Sequence, residues 1–378
     1  MLLGPLEILS KKKHYERDLN YQENLRNLAR CFEHHEDASA GDETRLKRIA
    51  SSYKKAARDL HLHPEVFRPS NEWLPIYKYN LRAIIKALEE SDLHSLGTMY
   101  RNFWRDPCSA GLVGLPVDMK KSFFNKSGKI SYIDKIYYLN DSIHRLNLWQ
   151  KLLGQRYPVE ALVSPPIGNP YGYFVGNTFI KAGADYQHYY ATRIKELLAD
   201  AHRHKVVVEI GGGFGGMAYY LIRDSNDATY VDFDLPENLA LTSFYLMKAF
   251  PEKKVLLYGE ADFSEIELSD YDIVLMPSFQ LDKLKDETAD MVFNSYSLAE
   301  MSPQTIRHYV LQSAKLINDG GWLYHVNHTR HSLVSAKDFP VPDSLSLVSE
   351  EFAAWNLGRN SDMDEYEFLY KKNKQVPQ

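Results

Sequence analysis

The chain has 378 residues, 44% of them hydrophobic and 25% charged, the balance of an ordinary soluble globular protein with room for about two domains. A net charge of -5 argues against a dedicated nucleic-acid binder. Cys31 and Cys108 supply neither a disulfide framework nor metal-ligand spacing, so a reducing, cytoplasmic setting without a bound metal is expected. Pro5 and Glu7 interrupt the first apolar residues too early for a signal-peptide core, and no apolar run is long enough to span a bilayer.

Residues 1–155 read as a helical N-terminal domain. Tyr15, Leu19, Leu25, Leu28 and Phe32 form an irregular apolar stripe. Trp73, Ile76, Tyr77, Leu81, Ile84 and Leu88 form a second. Ile136, Leu139, Ile143, Leu146, Trp149 and Leu153 form a long third, at spacings of three and four. Lys11-Lys12-Lys13 reads as a solvated charge run and Asp37 to Asp42 as a loop.

The texture changes over residues 156–183. Ser164-Pro165-Pro166-Ile167-Gly168-Asn169-Pro170-Tyr171-Gly172-Tyr173 cannot be a helix interior, because proline removes a donor and clashes with the preceding turn. It reads as a linker or, given its aromatics, as a substrate-facing lid carrying Asn169, Tyr171 and Tyr173.

Residues 184–378 alternate strand and helix. A helix from Asp185 to Ala201 carries His188. Val206-Val207-Val208-Glu209-Ile210 is a buried strand, broken by Gly211, Gly212, Gly213, Gly215 and Gly216, after which Met217 to Ile222 reads as an apolar helix. Thr229 to Asp234 is a second strand with an acidic end, and Pro236 opens the next helix. Further strands are expected at Val255–Tyr258, Asp272–Met276, Met291–Asn294 and Trp322–Val326. A helix from Ser302 to Ile317 should be closed by Asn318-Asp319-Gly320-Gly321. Leu345–Ser349 and Tyr366–Tyr370 read as an antiparallel pair at the sheet edge. Alternation of this kind predicts an α/β fold with a mostly parallel sheet wound on both faces.

Gly211, Gly213 and Gly216 satisfy G-x-G-x-x-G, a pattern that by itself fits a nicotinamide dinucleotide equally well. Glu209 shifts the balance, since a carboxylate before the turn repels a pyrophosphate but suits a cationic amino-acid end. Asp234 can accept both hydroxyls of a ribose. Together these describe S-adenosylmethionine (SAM). The segment resembles motif I of the class I SAM-dependent methyltransferases. Phe233-Asp234-Leu235-Pro236 is similar to the acidic-loop motif of small-molecule O-methyltransferases. More narrowly, Asn169-Pro170-Tyr171-Gly172-Tyr173, Pro277-Ser278-Phe279 and Asn294-Ser295-Tyr296-Ser297-Leu298-Ala299-Glu300-Met301 resemble the sugar O-methyltransferase family. The resemblance implies a Rossmann-like class I methyltransferase sheet. It implies that Glu209, Gly211, Gly213 and Gly215 hold the methionine end of SAM and Asp234 the ribose. Pro277, Ser278 and Phe279 would border the adenine, and Asn294 and Ser295 would lie beneath the sulfonium. The strand at Val255 is extra to the common class I order.

Methyl transfer to oxygen needs alignment, exclusion of water and a general base. The site belongs at the C-terminal ends of the strands. His328 leads the candidates for the base because imidazole titrates nearest neutrality. Tyr296 and Glu300 follow another strand end, and Glu300 could equally cap the helix at Ser302. Tyrosines, Asn294 and Asn327, with His188 and the lid residues, supply the aromatic and amide groups a sugar or glycan acceptor needs. The alternatives are methylation of a non-sugar small molecule, with the N-terminal helices mediating a homodimer, and a non-catalytic protein that kept the fold.

Overall fold

The computed structural model describes residues 13–35, 41–69, 73–113, 130–154, 156–199, 203–330, 332–354 and 364–374. Lys11, Lys12 and residues 37–40, expected as charge run and loop, lie outside the described residues.

The N-terminal part is helical: α1 (Leu19–Arg26), α2 (Asp42–Leu60), α3 (Trp73–Ile76), α4 (Arg82–Glu90), α5 (Leu93–Tyr100) and α6 (Tyr132–Trp149). The predicted helix through Trp73 and Leu88 is interrupted by a π-helical turn at Tyr77–Leu81. The long third stripe is α6, started by a capping box between Ser131 and Asp134 and ended by a π-helical turn at Gln150–Gly154.

The segment read as a lid or linker is instead a buried hairpin, β1 (Gly172–Val175) with β2 (Thr178–Lys181). Tyr171 and Tyr173 are fully buried. The Tyr171 hydroxyl donates to the Trp104 carbonyl at 2.8 Å, so the ring is fixed to the helical part. Gly168, at φ 80°, lies against the Phe103 ring, where a Cβ would approach to 2.1 Å. The prolines and glycines therefore serve a tight packing job.

The remainder builds an eight-stranded sheet in the order β5-β6-β4-β3-β7-β8-β10-β9. Its strands are β3 (Lys205–Ile210), β4 (Ala228–Asp234), β5 (Val255–Leu257), β6 (Ile273–Pro277), β7 (Ala289–Ser295), β8 (Ile317–His328), β9 (Leu345–Phe352) and β10 (Glu365–Lys372). The first six in spatial order are parallel, and β10 and β9 close the sheet antiparallel. This is a Rossmann-like α/β fold with an N-terminal helical region. The helices are α7 (Ala184–Leu197), α8 (Gly216–Arg223), α9 (Pro236–Ala249) and α10 (Pro303–Leu316). Asn318 to Gly321, expected as a closing turn, are drawn into β8, which begins at Ile317 directly after α10.

The sheet is buried on both faces, which is why Val206, Val207 and Val208 of β3 are apolar in succession. Val206, Val208 and Ile210 face one apolar cluster with α10, while Val207 faces the other. That second cluster runs from Tyr15 through the N-terminal helices and α7, α8 and α9 to Leu369, with no break at residue 155. Polar ties follow the same route. Tyr53 and Tyr77 both donate to Glu237 on α9, at 3.2 and 2.6 Å, and Lys248 pairs with Asp42 at 3.4 Å. The helical region thus shares its core with the sheet and roofs one face of it.

Candidate active site

At the C-terminal ends of the parallel strands the helical roof encloses a cavity of about 620 Å³. That volume lies in the range of small-molecule sites, and strand C-termini are where open α/β sheets place ligands.

Its floor is the glycine turn. Gly211, Gly213 and Gly215 have φ of 75°, 62° and 84°, left-handed values that L side chains rarely adopt. Gly211 and Gly213 line the cavity. Gly215 is the residue before α8 and packs behind the turn against Thr242 and Leu246 rather than lining the cavity. Two acids of β4 hold the turn: Asp232 accepts from the Gly212 N–H at 3.0 Å and Asp234 from the Gly213 N–H at 3.2 Å. Asp234 also accepts from the Leu235 N–H at 2.6 Å and from Asn238 at 2.8 Å. It is therefore not the cap of α9, whose N-cap is Leu235.

Glu209 lies on the neighbouring strand, facing the same side. It accepts from the Tyr230 hydroxyl at 2.6 Å and is otherwise enclosed. Burial pushes its carboxyl up to about 7, against the help of Tyr230. Burial likewise raises Asp232 and Asp234, and their mutual repulsion raises Asp232 further. Asp232 Oδ2 is buried with no hydrogen-bond partner. None of the three acids is in an ion pair among the described residues. Three buried carboxylates on two adjacent strands, with no cation beside them, attract a positively charged ligand and repel a phosphate-rich one.

The cavity's other end is lined by strand-end and helical residues. Ser278 follows β6 and donates to the Phe67 carbonyl at 3.1 Å, so the helical region closes over the sheet there with Phe67 and Arg68. Ser295 ends β7 and is hydrogen-bonded to the Tyr186 hydroxyl of α7. Tyr296 follows at φ 67°, a strained backbone for a non-glycine residue, and donates to Glu365 of β10 at 2.9 Å. Glu300 accepts from the Trp73 indole at 3.0 Å. His328 ends β8. Its ring centre is 5.5 Å from that of Tyr296, and its Nδ1 is 3.4 Å from Asp364 Oδ1. That carboxylate lies within ion-pair range of the ring. From α6 and α7 come Asp141, Arg145, Asp185, Tyr186 and Tyr190. Arg145 donates to Asp141 at 2.9 Å; burial works against its charge, but Asp141 and Asp185 outweigh it and hold the charge on. Burial pushes Asp185 up to about 6 despite Arg145.

Of the residues expected to hold a cofactor, Glu209, Gly211, Gly213, Asp234, Ser278 and Ser295 line one cavity, as do His328, Glu300 and Tyr296 of the expected catalytic group. The others require correction. Pro277 lies in β6, paired with Asp234, and does not line the cavity. Phe279 is buried in the core on the other side of the sheet, stacked on His63 at 4.3 Å, and does not line the cavity. Asn294 is fully buried below the floor, donating to the Ile210 carbonyl at 2.8 Å and accepting from Asn327 at 2.8 Å. Asn327 is thus a strap between β7 and β8, not a substrate contact.

His188 is a core residue. It accepts from the Trp149 indole at 3.2 Å, and burial pulls it down to about 4. Asn169, Tyr171 and Tyr173 knot the hairpin to the helical region: Asn169 accepts from the His35 N–H at 2.9 Å, and the Tyr173 hydroxyl approaches Asp185 at 3.4 Å. A tyrosine-rich loop reads the same whether it packs a core or lines a site. Asp232 joins Glu209 and Asp234 because strand alternation puts it on the face of Asp234. Phe67, Arg68, Trp73, Asp141 and Arg145 carry no local signal.

No protein-family model matches the sequence, and no curated protein matches it. Solved structures with a similar fold include N-methyltransferase NodS from Bradyrhizobium japonicum WM9 in complex with S-adenosyl-L-homocysteine. It is 12% identical over 49% of this chain and 86% of its own, at a TM-score of 0.33. The arsenic(III) S-adenosylmethionine methyltransferase CrArsM from Chlamydomonas reinhardtii is 15% identical over 46% of this chain and 65% of its own, at 0.33. The [4+2]-cyclase SpnF is 12% identical over 62% and 96%, at 0.37.

Proposed function

We propose that the protein is a SAM-dependent O-methyltransferase acting on a hydroxyl of a sugar or sugar-containing acceptor. One observation carries the cofactor half: Glu209, Asp232 and Asp234 are buried without a cation around a left-handed glycine turn that opens into the cavity. The donor set fits the group. Glu209 would hold the ammonium of the methionine end, Asp234 the ribose hydroxyls, and the flat backbone of Gly211 and Gly213 admits close approach. When bound, SAM supplies an electrophilic methyl group on a sulfonium.

The chain's own residues supply the rest. The helical roof excludes water from the strand ends. His328 takes the proton of the acceptor hydroxyl as the oxygen attacks, with the Asp364 carboxylate 3.4 Å from its Nδ1. Support for a sugar comes from the mixture at the acceptor end: the rings of Tyr186, Tyr190 and Tyr296 stand beside Asp141, Arg145, Asp185 and Glu365. A guanidinium that donates and carboxylates that accept, set against aromatic faces, match the alternating hydroxyls and apolar ring of a carbohydrate.

Two measurements test the reading. Calorimetry with S-adenosylhomocysteine should give saturable binding; a folded sample that gives no heat refutes the cofactor. Transfer of labelled methyl from SAM should favour sugar over phenolic acceptors, and preference for phenols refutes the acceptor class.

A further inference from the structure

One stripe of α6 faces the acceptor end of the cavity. Tyr138, Asp141, Ser142 and Arg145 recur along it at spacings of three and four, and all four line the cavity. Ile136, Leu139, Ile143 and Leu146 of the same helix are buried in the core. Charged groups on an enclosed second face are costly unless something is set there to meet them.

Arg145 has a side chain that is 22% exposed and borders the cavity. Its Nε donates to Asp141 at 2.9 Å, and Nη1 and Nη2 have no hydrogen-bond partner among the described residues. A guanidinium sets its N–H groups in one plane as a rigid fork, so the donors of Nη1 and Nη2 remain for a ligand. The fork is close to the reacting end. Its charge is felt at the hydroxyls of Tyr186 and Tyr296, and the Tyr296 ring centre is 5.5 Å from that of His328.

The charges around the fork decide which ligand suits it. Asp141 and Asp185 both act on the guanidinium, and Glu365 accepts from the Tyr296 hydroxyl beside it. One guanidinium set among these three carboxyl groups leaves no surplus positive charge for an anion. A carboxylate or phosphate on the acceptor would therefore enter a region that is already acidic. Hydroxyls escape that penalty, since each oxygen accepts from the fork and each O–H donates to a carboxylate. Two adjacent hydroxyls of a ring can meet Nη1 and Nη2 together. The rings of Tyr186 and Tyr296, stacked with centres 6.1 Å apart and planes at 22°, offer such a ring an apolar wall.

We propose that Arg145 determines which sugar is accepted: its Nη1 and Nη2 hold two adjacent hydroxyl oxygens of a neutral sugar ring, and sugars bearing a carboxylate or phosphate are turned away. Asp141 is the positioning residue, fixing the guanidinium through Nε and cancelling its charge. The inference rests on the sugar reading and deepens it by naming the charge and hydroxyl pattern of the acceptor.

The test measures transfer of labelled methyl from SAM to a panel of methyl glycosides: neutral hexosides, their monodeoxy forms, the matching uronides and the matching sugar phosphates. The wild type should use neutral glycosides about 100-fold better in kcat/KM than uronides or phosphates, because like charges set close together cost several kcal/mol. Arg145→Lys keeps the charge and loses the fork. It should raise KM for the best neutral glycoside about 10- to 100-fold with little change in kcat. At least one monodeoxy form should raise KM about 10-fold in the wild type and much less in Arg145→Lys, because the hydroxyl it lacks is one the fork holds. Asp141→Asn should narrow the preference against uronides about 10-fold, since less of the guanidinium's charge is then cancelled. Unchanged S-adenosylhomocysteine affinity in calorimetry reports that both variants are folded. Equal or better use of uronides or phosphates by the wild type, wild-type KM in Arg145→Lys, or an unchanged preference in folded Asp141→Asn overturns the inference and leaves the sugar reading standing. A wild type that binds S-adenosylhomocysteine but prefers phenols, or methylates no member of the panel, removes the sugar reading and the inference with it. Should either variant not fold, the wild type's choice between neutral and anionic glycosides decides alone.

Discussion

Replacing Glu209 by glutamine should stabilise the free protein while weakening its ligand. Burial raises the Glu209 carboxyl from the ordinary 4.5 to about 7. The native state therefore holds a proton that the unfolded chain has released, and stability drains away as pH climbs from about 4.5 to 7. At about 1.4 kcal/mol per pKa unit, that interval costs the native state about 3 kcal/mol above pH 7. Glutamine keeps an acceptor for the Tyr230 hydroxyl and removes the titration. Urea unfolding without ligand should then find Glu209→Gln more stable than wild type by about 3 kcal/mol at pH 8, and by under about 1 kcal/mol at pH 5. With S-adenosylhomocysteine at about 100 times the wild-type dissociation constant, the wild type should gain about 2.7 kcal/mol and the variant much less. A variant that is no more stable at pH 8, or whose advantage is the same at both pH values, refutes the reasoning that Glu209 is a buried acid awaiting a cation.

Asp234→Ala should weaken S-adenosylhomocysteine strongly, by about 100-fold in calorimetry, because it removes a charged acceptor and frees the Gly213 N–H it now holds. His328→Ala should lower turnover about 10²- to 10⁴-fold and leave cofactor binding nearly intact; full activity would remove His328 from the mechanism. Asp364→Asn should lower turnover less than His328→Ala, measured as kcat, since the imidazole would lose the carboxylate 3.4 Å from Nδ1. Gly213→Ala meets nothing closer than 3.8 Å and should cost only the left-handed backbone, about 1–2 kcal/mol, whereas Gly211→Ala drives a Cβ to 2.4 Å from Ser297 and should cost distinctly more in urea unfolding.

Much of the cavity floor was legible in the chain order. A strand, a glycine break and a helix obey local rules, and so does an acid at the end of the next strand. The edge pair β9 and β10 announced itself by alternation, and pairs as expected. The acceptor end was not legible. Tyr171, Tyr173 and His188 looked like ligand contacts because tyrosine and histidine combine an apolar body with a polar tip. That combination serves a satisfied core equally well, and Trp104, Asp185 and Trp149 are the partners that satisfy it. Asn294 and Asn327 sit in the expected strands, yet they pair with each other beneath the floor.

By itself, the order of residues determined the alternating α/β architecture, the glycine turn and the side of the sheet on which its acids gather, since all three follow from periods of two and 3.6 along neighbouring residues. Only the tertiary structure decided what faces those acids. Phe67, Trp73, Asp141, Arg145 and Gln187 reach the cavity from separate segments that a shared core brings together. Contacts made across such distances are set by how whole faces pack, and packing leaves no mark on the spacing of any one segment.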